Sequence, residues 1–177
     1  MVLITNAAYS SRLDGQPSAA KRGRPAANSP TFGFLGRYEI EHKGLDLLLA
    51  GFAKYRAEGG KGRLQLFGTG PARETLSTVA RDLGVDAHVD VSGPAFGDDK
   101  AQALARWDFF MSPSRFEGAP TGPLQAALAG VPLIVSEGTG LRDQVRESRA
   151  GFGLGALDAD SIAKALRSRT CWRAFRS

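Results

Sequence analysis

The chain has 177 residues, of which 42% are hydrophobic and 23% charged, with a formal net charge of +5. That length makes one domain able to bury a core without covalent staples, and the composition is ordinary for a globular protein. The single cysteine, Cys171, excludes an internal disulfide framework and suits a reducing cytoplasm.

No apolar run approaches the ~20 residues that span a bilayer. The opening Met1-Val2-Leu3-Ile4-Thr5-Asn6 lacks the charged and long apolar regions of a signal peptide. Excess positive charge is local: Lys21, Arg22 and Arg24 precede the patterned region, and Arg167, Arg169, Arg173 and Arg176 follow it. No aromatic-interleaved basic motif accompanies these cations, so they are read as solvated charge and no nucleic-acid partner is expected.

Residues 1–30 start with a short apolar run and pass into linker composition, rich in Ala, Ser, Pro and Arg, with no period that could bury a face. Residues 31–166 alternate strand-like and helix-like patterns, the mark of repeated β–α units around a parallel sheet. Residues 167–177 read as an irregular tail.

In chain order, a strand is expected at Thr31–Gly36, running into Gly36-Arg37-Tyr38-Glu39-Ile40-Glu41-His42-Lys43-Gly44. This is read as a short loop between a strand end and a helix start. Arg37 could clamp phosphate oxygens through two N–H groups and Lys43 could act as a point charge, or both could be surface cations. Leu45, Leu48, Leu49, Phe52 and Tyr55 form the stripe of the first helix. The next strand, Arg63–Phe67, ends in Gly68-Thr69-Gly70-Pro71, where a tight turn explains the glycines as well as a ligand does. A helix carrying Leu76, Val79, Ala80 and Leu83 follows, stopping at Gly84. A third strand is expected at His88–Val91, leading into Ser92-Gly93-Pro94, and a helix at about Lys100–Arg106.

The fourth strand, Asp108–Ser112, opens the most informative stretch: Pro113-Ser114, then Glu117-Gly118-Ala119-Pro120, then a small-residue helix at Leu124–Leu128 and a strand at Pro132–Ser136. A strand-to-helix turn is where open α/β sheets bind ligands, since helix N–H groups face an anion and glycine permits close approach. A carboxylate at Glu117 could then accept hydrogen bonds from hydroxyls carried by that anion, and a nucleotide-sugar presents both. A weak sixth strand at Gly151–Leu154 and a helix at Ser161–Leu166 complete the pattern.

Several features point elsewhere and are set aside. Asp158-Ala159-Asp160 has a metal-binding look, but it precedes a short helix and reads more simply as capping. His42 and His88 are the only histidines and are not spaced as a metal pair. Neither a GxxxxGK[ST] phosphate loop nor a Gly-x-Ser-x-Gly elbow occurs.

Gly36-Arg37 with Lys43-Gly44, Gly68-Thr69-Gly70-Pro71, Pro113-Ser114 with Glu117-Gly118, and Ala129-Gly130-Val131-Pro132 together resemble the retaining GT-B glycosyltransferases of the group 1, or family 4, type. The resemblance covers about residues 31–155. It implies an α/β fold, a Rossmann-like parallel sheet flanked by helices, forming the donor-binding C-terminal half of a two-domain enzyme. Residues 2–6 resemble that family's interdomain segment, whereas the tail does not resemble its final helix.

The resemblance further implies a catalytic Glu117 beside the donor sugar, with Arg37 and Lys43 on the donor phosphates and Gly118 and Gln125 also donor-binding. The family carries a Glu, seven residues, then a second Glu, and Gln125 stands in the second place. Gln125 keeps an acceptor oxygen for the ribose hydroxyls but loses the charge. No metal or other cofactor is implied, the nucleoside-diphosphate-sugar being substrate. The implied partners are that donor and a separately encoded acceptor-binding domain. A cytoplasmic location follows, and peripheral contact with the inner membrane face stays open. The alternative is a catalytically inactive nucleotide-sugar-binding or interaction module, which Gln125 and the missing half favour.

Overall fold

The computed structural model describes residues 29–168. The expected linker before residue 29 and the expected tail beyond residue 168 lie outside the described residues. Six strands form one sheet: β1 Thr31–Arg37, β2 Arg63–Thr69, β3 Val89–Ser92, β4 Phe109–Ser112, β5 Leu133–Val135 and β6 Gly151–Gly153. Their order is β3-β2-β1-β4-β5-β6, and every pair is parallel. All six expected strands are present, with ends shifted by one or two residues. Asp108, expected inside β4, stops short of it; its carboxylate accepts from the Thr31 N–H at 2.7 Å, filling a donor at the start of β1.

The helices are α1 Ile40–Lys43, α2 Leu45–Ala57, α3 Arg73–Asp82, α4 Gly97–Arg106, α5 Thr121–Leu128, α6 Arg142–Glu147 and α7 Ala159–Arg167. They split between the two sheet faces because strand side chains alternate. Phe32, Phe34, Leu64, Leu66, Phe109, Met111 and Ile134 join α2, α3 and α7 in one core. Phe110, Leu133 and Val135 join α4, α5 and α6 in a smaller one that also holds Trp107.

The expected stripe of α2 is the largest helical share of the first core, with Leu45, Leu48, Leu49 and Phe52 at 0% exposure. Burying each such side chain stabilises the fold by about 1.5–3 kcal/mol. Across α2 lies α7, where Ile162, Ala163 and Leu166 are buried. Lys54 pairs with Asp160 at 2.5 Å, and Arg167 pairs with Glu58.

Two elements depart from expectation. The segment after β1 is not a plain loop, since Ile40–Lys43 makes a helical turn too short to show a period. Helix α6 was not expected at all; Val145 is its only buried residue, so it carries no apolar stripe. His88 closes a 3-10 turn at Asp86–His88 and does not open β3. Its Nε2 lies 2.7 Å from Arg56 Nη2.

Candidate functional site

The strand order reverses direction between β1 and β4, and in open α/β sheets the crevice outside the carboxyl ends of the strands at such a switch point receives ligands. The segments leaving β1 and β4 here are the ones that carry Arg37, Lys43 and Glu117. Parallel strands deliver all three to the same sheet edge, although Lys43 and Glu117 stand 74 residues apart.

Lys43 ends α1, and Gly44 turns the chain into α2 with φ +61°. Only glycine fits there, because a Cβ would sit 2.2 Å from the Pro113 carbonyl oxygen. The two segments therefore run in direct contact. The His42 carbonyl accepts from the Arg115 N–H at 2.8 Å and the Phe116 N–H at 3.3 Å. Beside this backbone join, the Lys43 ammonium donates to Glu117 Oε2, and the Ser114 hydroxyl lies 3.5 Å from the same oxygen. The two charged side chains are only 17% and 10% exposed. Each offsets the other's loss of water, which a lone buried charge could not do.

Arg37 ends β1 and is 68% exposed. It donates to Glu39 Oε1 at 3.0 Å, while Glu39 Oε2 lies 3.5 Å from His42 Nδ1. Arg37 thus shares the edge with Lys43 and Glu117 but bonds to neither. Gly118 is exposed, and a Cβ added to it would meet nothing within 4 Å. Gln125 is half-buried on α5; among the described residues its side chain has no hydrogen bond to Arg37, Lys43 or Glu117. The first turn of α5 offers fewer donors than expected. Pro123 has no N–H, and Thr121 N already donates to Ala119 O at 2.8 Å, leaving the Gly122 N–H.

Further residues hold in place the ones the sequence singled out. Arg115 donates twice to Asp46, at 2.9 and 2.7 Å, and once to the Ile40 carbonyl at 2.9 Å. Burial acts to raise the Asp46 pKa, but the hydrogen bonds from Arg115 and the Leu47 N–H outweigh it and hold the carboxyl below its ordinary value. Buried Ser136 donates to Ser114 O at 2.5 Å and Ser112 O at 3.3 Å, pinning the exit of β4. The motif Pro113-Ser114 was a sequence signal for this support; the 69-residue separation of Asp46 and Arg115 left none.

The turn after β2 closes on the protein's own backbone, which accounts for its glycines. Gly70 closes on the backbone of Tyr38, so a Cβ would stand 2.6 Å from Tyr38 O. Tyr38 N donates to Thr69 O at 2.7 Å, and Ala72 N donates to Tyr38 O at 3.3 Å. The Tyr38 hydroxyl reaches Leu66 O at 2.7 Å and Ser92 O at 2.6 Å. Burial raises its pKa, Arg73 opposing and Asp90 adding. A hollow of about 290 Å³ beside this turn is lined by Tyr38, Glu39, Ile40, Glu41, His42, Pro71 and Ala72. It lies on the β2 side of α1, and neither Lys43 nor Glu117 lines it.

Of the acidic pair near the end, Asp158 caps α7 as expected, whereas Asp160 lies inside the first turn of the helix. Asp158 accepts from the Ser161 N–H at 2.7 Å, which holds its carboxyl below the ordinary value. Asp160 faces Lys54. Among the described residues no three His, Cys, Asp or Glu side chains gather into a metal-binding group, and no helix is long and apolar enough to cross a membrane.

Fold and edge together define a Rossmann-like α/β domain of the type found in GT-B glycosyltransferases. Residues 29–169 match the family described as glycosyl transferases group 1, and the chain belongs to that family. It is 33% identical to a glycogen synthase of Halorhodospira halophila, over 88% of this chain and 35% of that one. It is 31% identical to the GDP-mannose-dependent alpha-(1-6)-phosphatidylinositol monomannoside mannosyltransferase of Mycobacterium tuberculosis, over 77% of this chain and 37% of that one. The solved apo form of the lipopolysaccharide outer core galactosyltransferase WaaB superposes with a TM-score of 0.71 at 24% identity, over 89% of this chain and 45% of that one. The chain thus spans little more than a third of the length of these curated relatives.

Proposed function

We propose that this chain is the donor half of a glycosyltransferase, moving a sugar from a nucleoside-diphosphate-sugar with retention and without a required metal, once an acceptor-binding domain closes the cleft. The observation that carries this is the Lys43–Glu117 pair at the switch point: a cation fit for a diphosphate beside a carboxylate fit for sugar hydroxyls. Lys43 and Arg37 bind the diphosphate oxygens and neutralise the charge that grows there as the bond to the anomeric carbon breaks. Arg37, exposed and paired only at the surface, swings from Glu39 to the phosphates at small cost. Glu117 orients the sugar, Gly118 leaves room beside it, and Gln125 accepts from the ribose hydroxyls.

Relatives acting on GDP-mannose, or named as glycogen and starch synthases, support a nucleotide-sugar donor. The cleft's second wall would come from the part of such relatives that this chain does not span, and a peripheral membrane contact would come with the acceptor.

The test is calorimetric titration of the chain with UDP, GDP, ADP and their sugars, repeated in EDTA. Micromolar to millimolar binding of at least one diphosphate, retained in EDTA, is expected. Failure to bind any of them removes the proposal. Gln125 favours a second possibility, a module that binds a nucleotide-sugar without turning it over. Labelled donor offered to the chain with and without a candidate acceptor domain separates the two, since transfer only with the partner supports the half-enzyme.

A further inference from the structure

Lys43 and Glu117 meet because two segments far apart in sequence are held in one register, and most of the bonds that hold them converge on a single residue. Arg115 N and Phe116 N donate to the His42 carbonyl. The Arg115 guanidinium donates through Nη1 to the Ile40 carbonyl and, through both of its terminal nitrogens, to the carboxylate of Asp46. Ile40 and Lys43 are the two ends of α1, and Asp46 lies in the first turn of α2. The guanidinium therefore spans the whole turn that carries Lys43, from a position two residues before Glu117.

A planar fork that bonds a carboxylate twice fixes direction as well as distance, unlike a point charge. Helix α1 is only four residues long, with no buried side chain and no side-chain cap. A single turn of that kind has no stability of its own. Its position must come from outside: Ile40 packs against the first core, and these bonds fix the register with the segment that carries Glu117.

From this arrangement the geometry points to Arg115, with Asp46 as its anchor, as a positioning residue for the donor site: it sets the place of the Lys43 ammonium relative to the Glu117 carboxylate without touching the donor. This rests on the donor-site function proposed above. Lys43 presented on an unregistered turn would still be a cation near the site, but it would reach the diphosphate in one of many geometries. Affinity for phosphates should then fall while affinity for an uncharged nucleoside stays. A role confined to holding the fold would lower both together with the melting temperature.

The experiment uses the full chain as wild type, Arg115→Ala, Arg115→Lys, Asp46→Asn and Lys43→Ala, and the double variant of Arg115→Ala with Lys43→Ala. The probe is whichever of UDP, GDP and ADP the wild type binds most tightly, beside its free nucleoside. Arg115→Ala should weaken diphosphate binding about 10-fold and Asp46→Asn about 3-fold, typical of coupled neighbours. Arg115→Lys should fall between wild type and Ala, and nucleoside affinity should hardly move.

In the double variant, Arg115→Ala should add less than about 2-fold to the loss from Lys43→Ala, because the effect passes through that ammonium. Amide exchange in the free protein should quicken over residues 40–46 and 114–118 in Arg115→Ala. Equal loss for diphosphate and nucleoside, full additivity with Lys43→Ala, or unchanged exchange would each overturn the assignment. If the wild type binds none of the diphosphates, the proposed function falls first, and the exchange result still decides whether Arg115 registers the two segments. Asp46→Asn keeps the test open should Arg115→Ala fail to fold.

Discussion

The end of β2 and the junction after β1 both hold glycines in tight backbone contact, at Gly68 and Gly70 and at Gly44, yet they carry different side chains. At the end of β2, the glycines admit the protein's own backbone: a Cβ on Gly68 would stand 1.9 Å from Gly36 O, and one on Gly70 would meet Tyr38 O at 2.6 Å. Tyr38 then ties that turn to β2 and β3 through Leu66 O and Ser92 O. After β1, the chain presents Arg37 and Lys43 and brings the latter to Glu117. Glycine marks close approach of the protein's own backbone in both regions, since a Cβ on Gly44 would likewise sit 2.2 Å from Pro113 O. Charged side chains at the same edge are what separate the two cases.

The largest effect should come from filling the close approach near the end of β2, where Gly68 pairs with Gly36. Gly68→Ala puts a methyl group into a backbone carbonyl, and we expect a loss of about 2–4 kcal/mol in urea unfolding. The fraction still folded should keep its affinity for nucleoside diphosphate. A loss below about 0.5 kcal/mol would show a turn free to adapt and would end the contrast.

Next is the junction after β1. Arg37→Ala and Lys43→Ala should each weaken nucleoside-diphosphate binding by about 1.5–3 kcal/mol, the range for hydrogen bonds to charged groups. Nucleoside binding should hardly change, and an equal loss for both ligands would assign these cations to the fold. Lys43→Ala also leaves Glu117 without its cation, so its melting temperature should fall further than that of Arg37→Ala.

Tyr38→Phe sharpens the comparison from the other side. It removes the hydroxyl shared by the buried Leu66 carbonyl and the part-buried Ser92 carbonyl and should cost about 1–2 kcal/mol of stability with diphosphate affinity intact. A selective loss of affinity would make the β2 turn part of the site after all.

Restoring the missing charge is a smaller change. Gln125→Glu should tighten binding of a nucleoside diphosphate by about 1 kcal/mol, since a charged acceptor roughly doubles the strength of a hydrogen bond. The corresponding 2′-deoxyribose ligand should gain less. Equal gain for both ligands would place Gln125 away from the ribose.

The smallest effect is the acid dependence of the Asp46 anchor. Its carboxyl is held below the ordinary value, so its stabilisation is fully present above the unfolded-state pKa of about 3.9 and is lost as pH falls through the lower folded value. Asp46→Asn should flatten the melting-temperature decline below about pH 4 and leave the neutral range unchanged in slope. A decline as steep as that of the wild type would assign the acid sensitivity to other carboxylates.

How far the sequence could be read follows from the range of each signal. Period-two and helical stripes are local, so the strands, α2 and α3 were legible from Phe32, Leu64, Leu76 and their neighbours. The edge position of Arg37, Lys43 and Glu117 was legible too, since Arg37 ends a strand, the other two follow one, and parallel strands share an edge, while the roles assigned to them came from the family resemblance. Helix α1 was missed because four residues show no period, and α6 because it buries only Val145. Contacts between distant segments left no trace: Arg115 with Asp46, the Gly44 approach to Pro113, and the Gly33 backbone that makes room for Trp107, whose ring would lie 1.9 Å from a Cβ there. These are properties of the closed fold, and no window of sequence contains both partners.

The packing of α7 on α2 bears on when the domain can close. Gly51 of α2 lies so near Ile162 that a Cβ would stand 2.5 Å from its side chain, and Leu166 is buried in the same core. At a synthesis rate of about 5–20 residues per second, the roughly 110 residues between Gly51 and Ile162 take about 6–22 s to appear. Throughout that interval the face of α2 that α7 will cover stays open while the rest of the sheet is assembled. Closure of this face therefore cannot precede translation of α7, even though the helix itself forms in about 0.1–1 μs. A pause in translation before α7 would prolong the exposure of the α2 face around Gly51, where Ile162 will pack, and with it the time available for association between nascent chains.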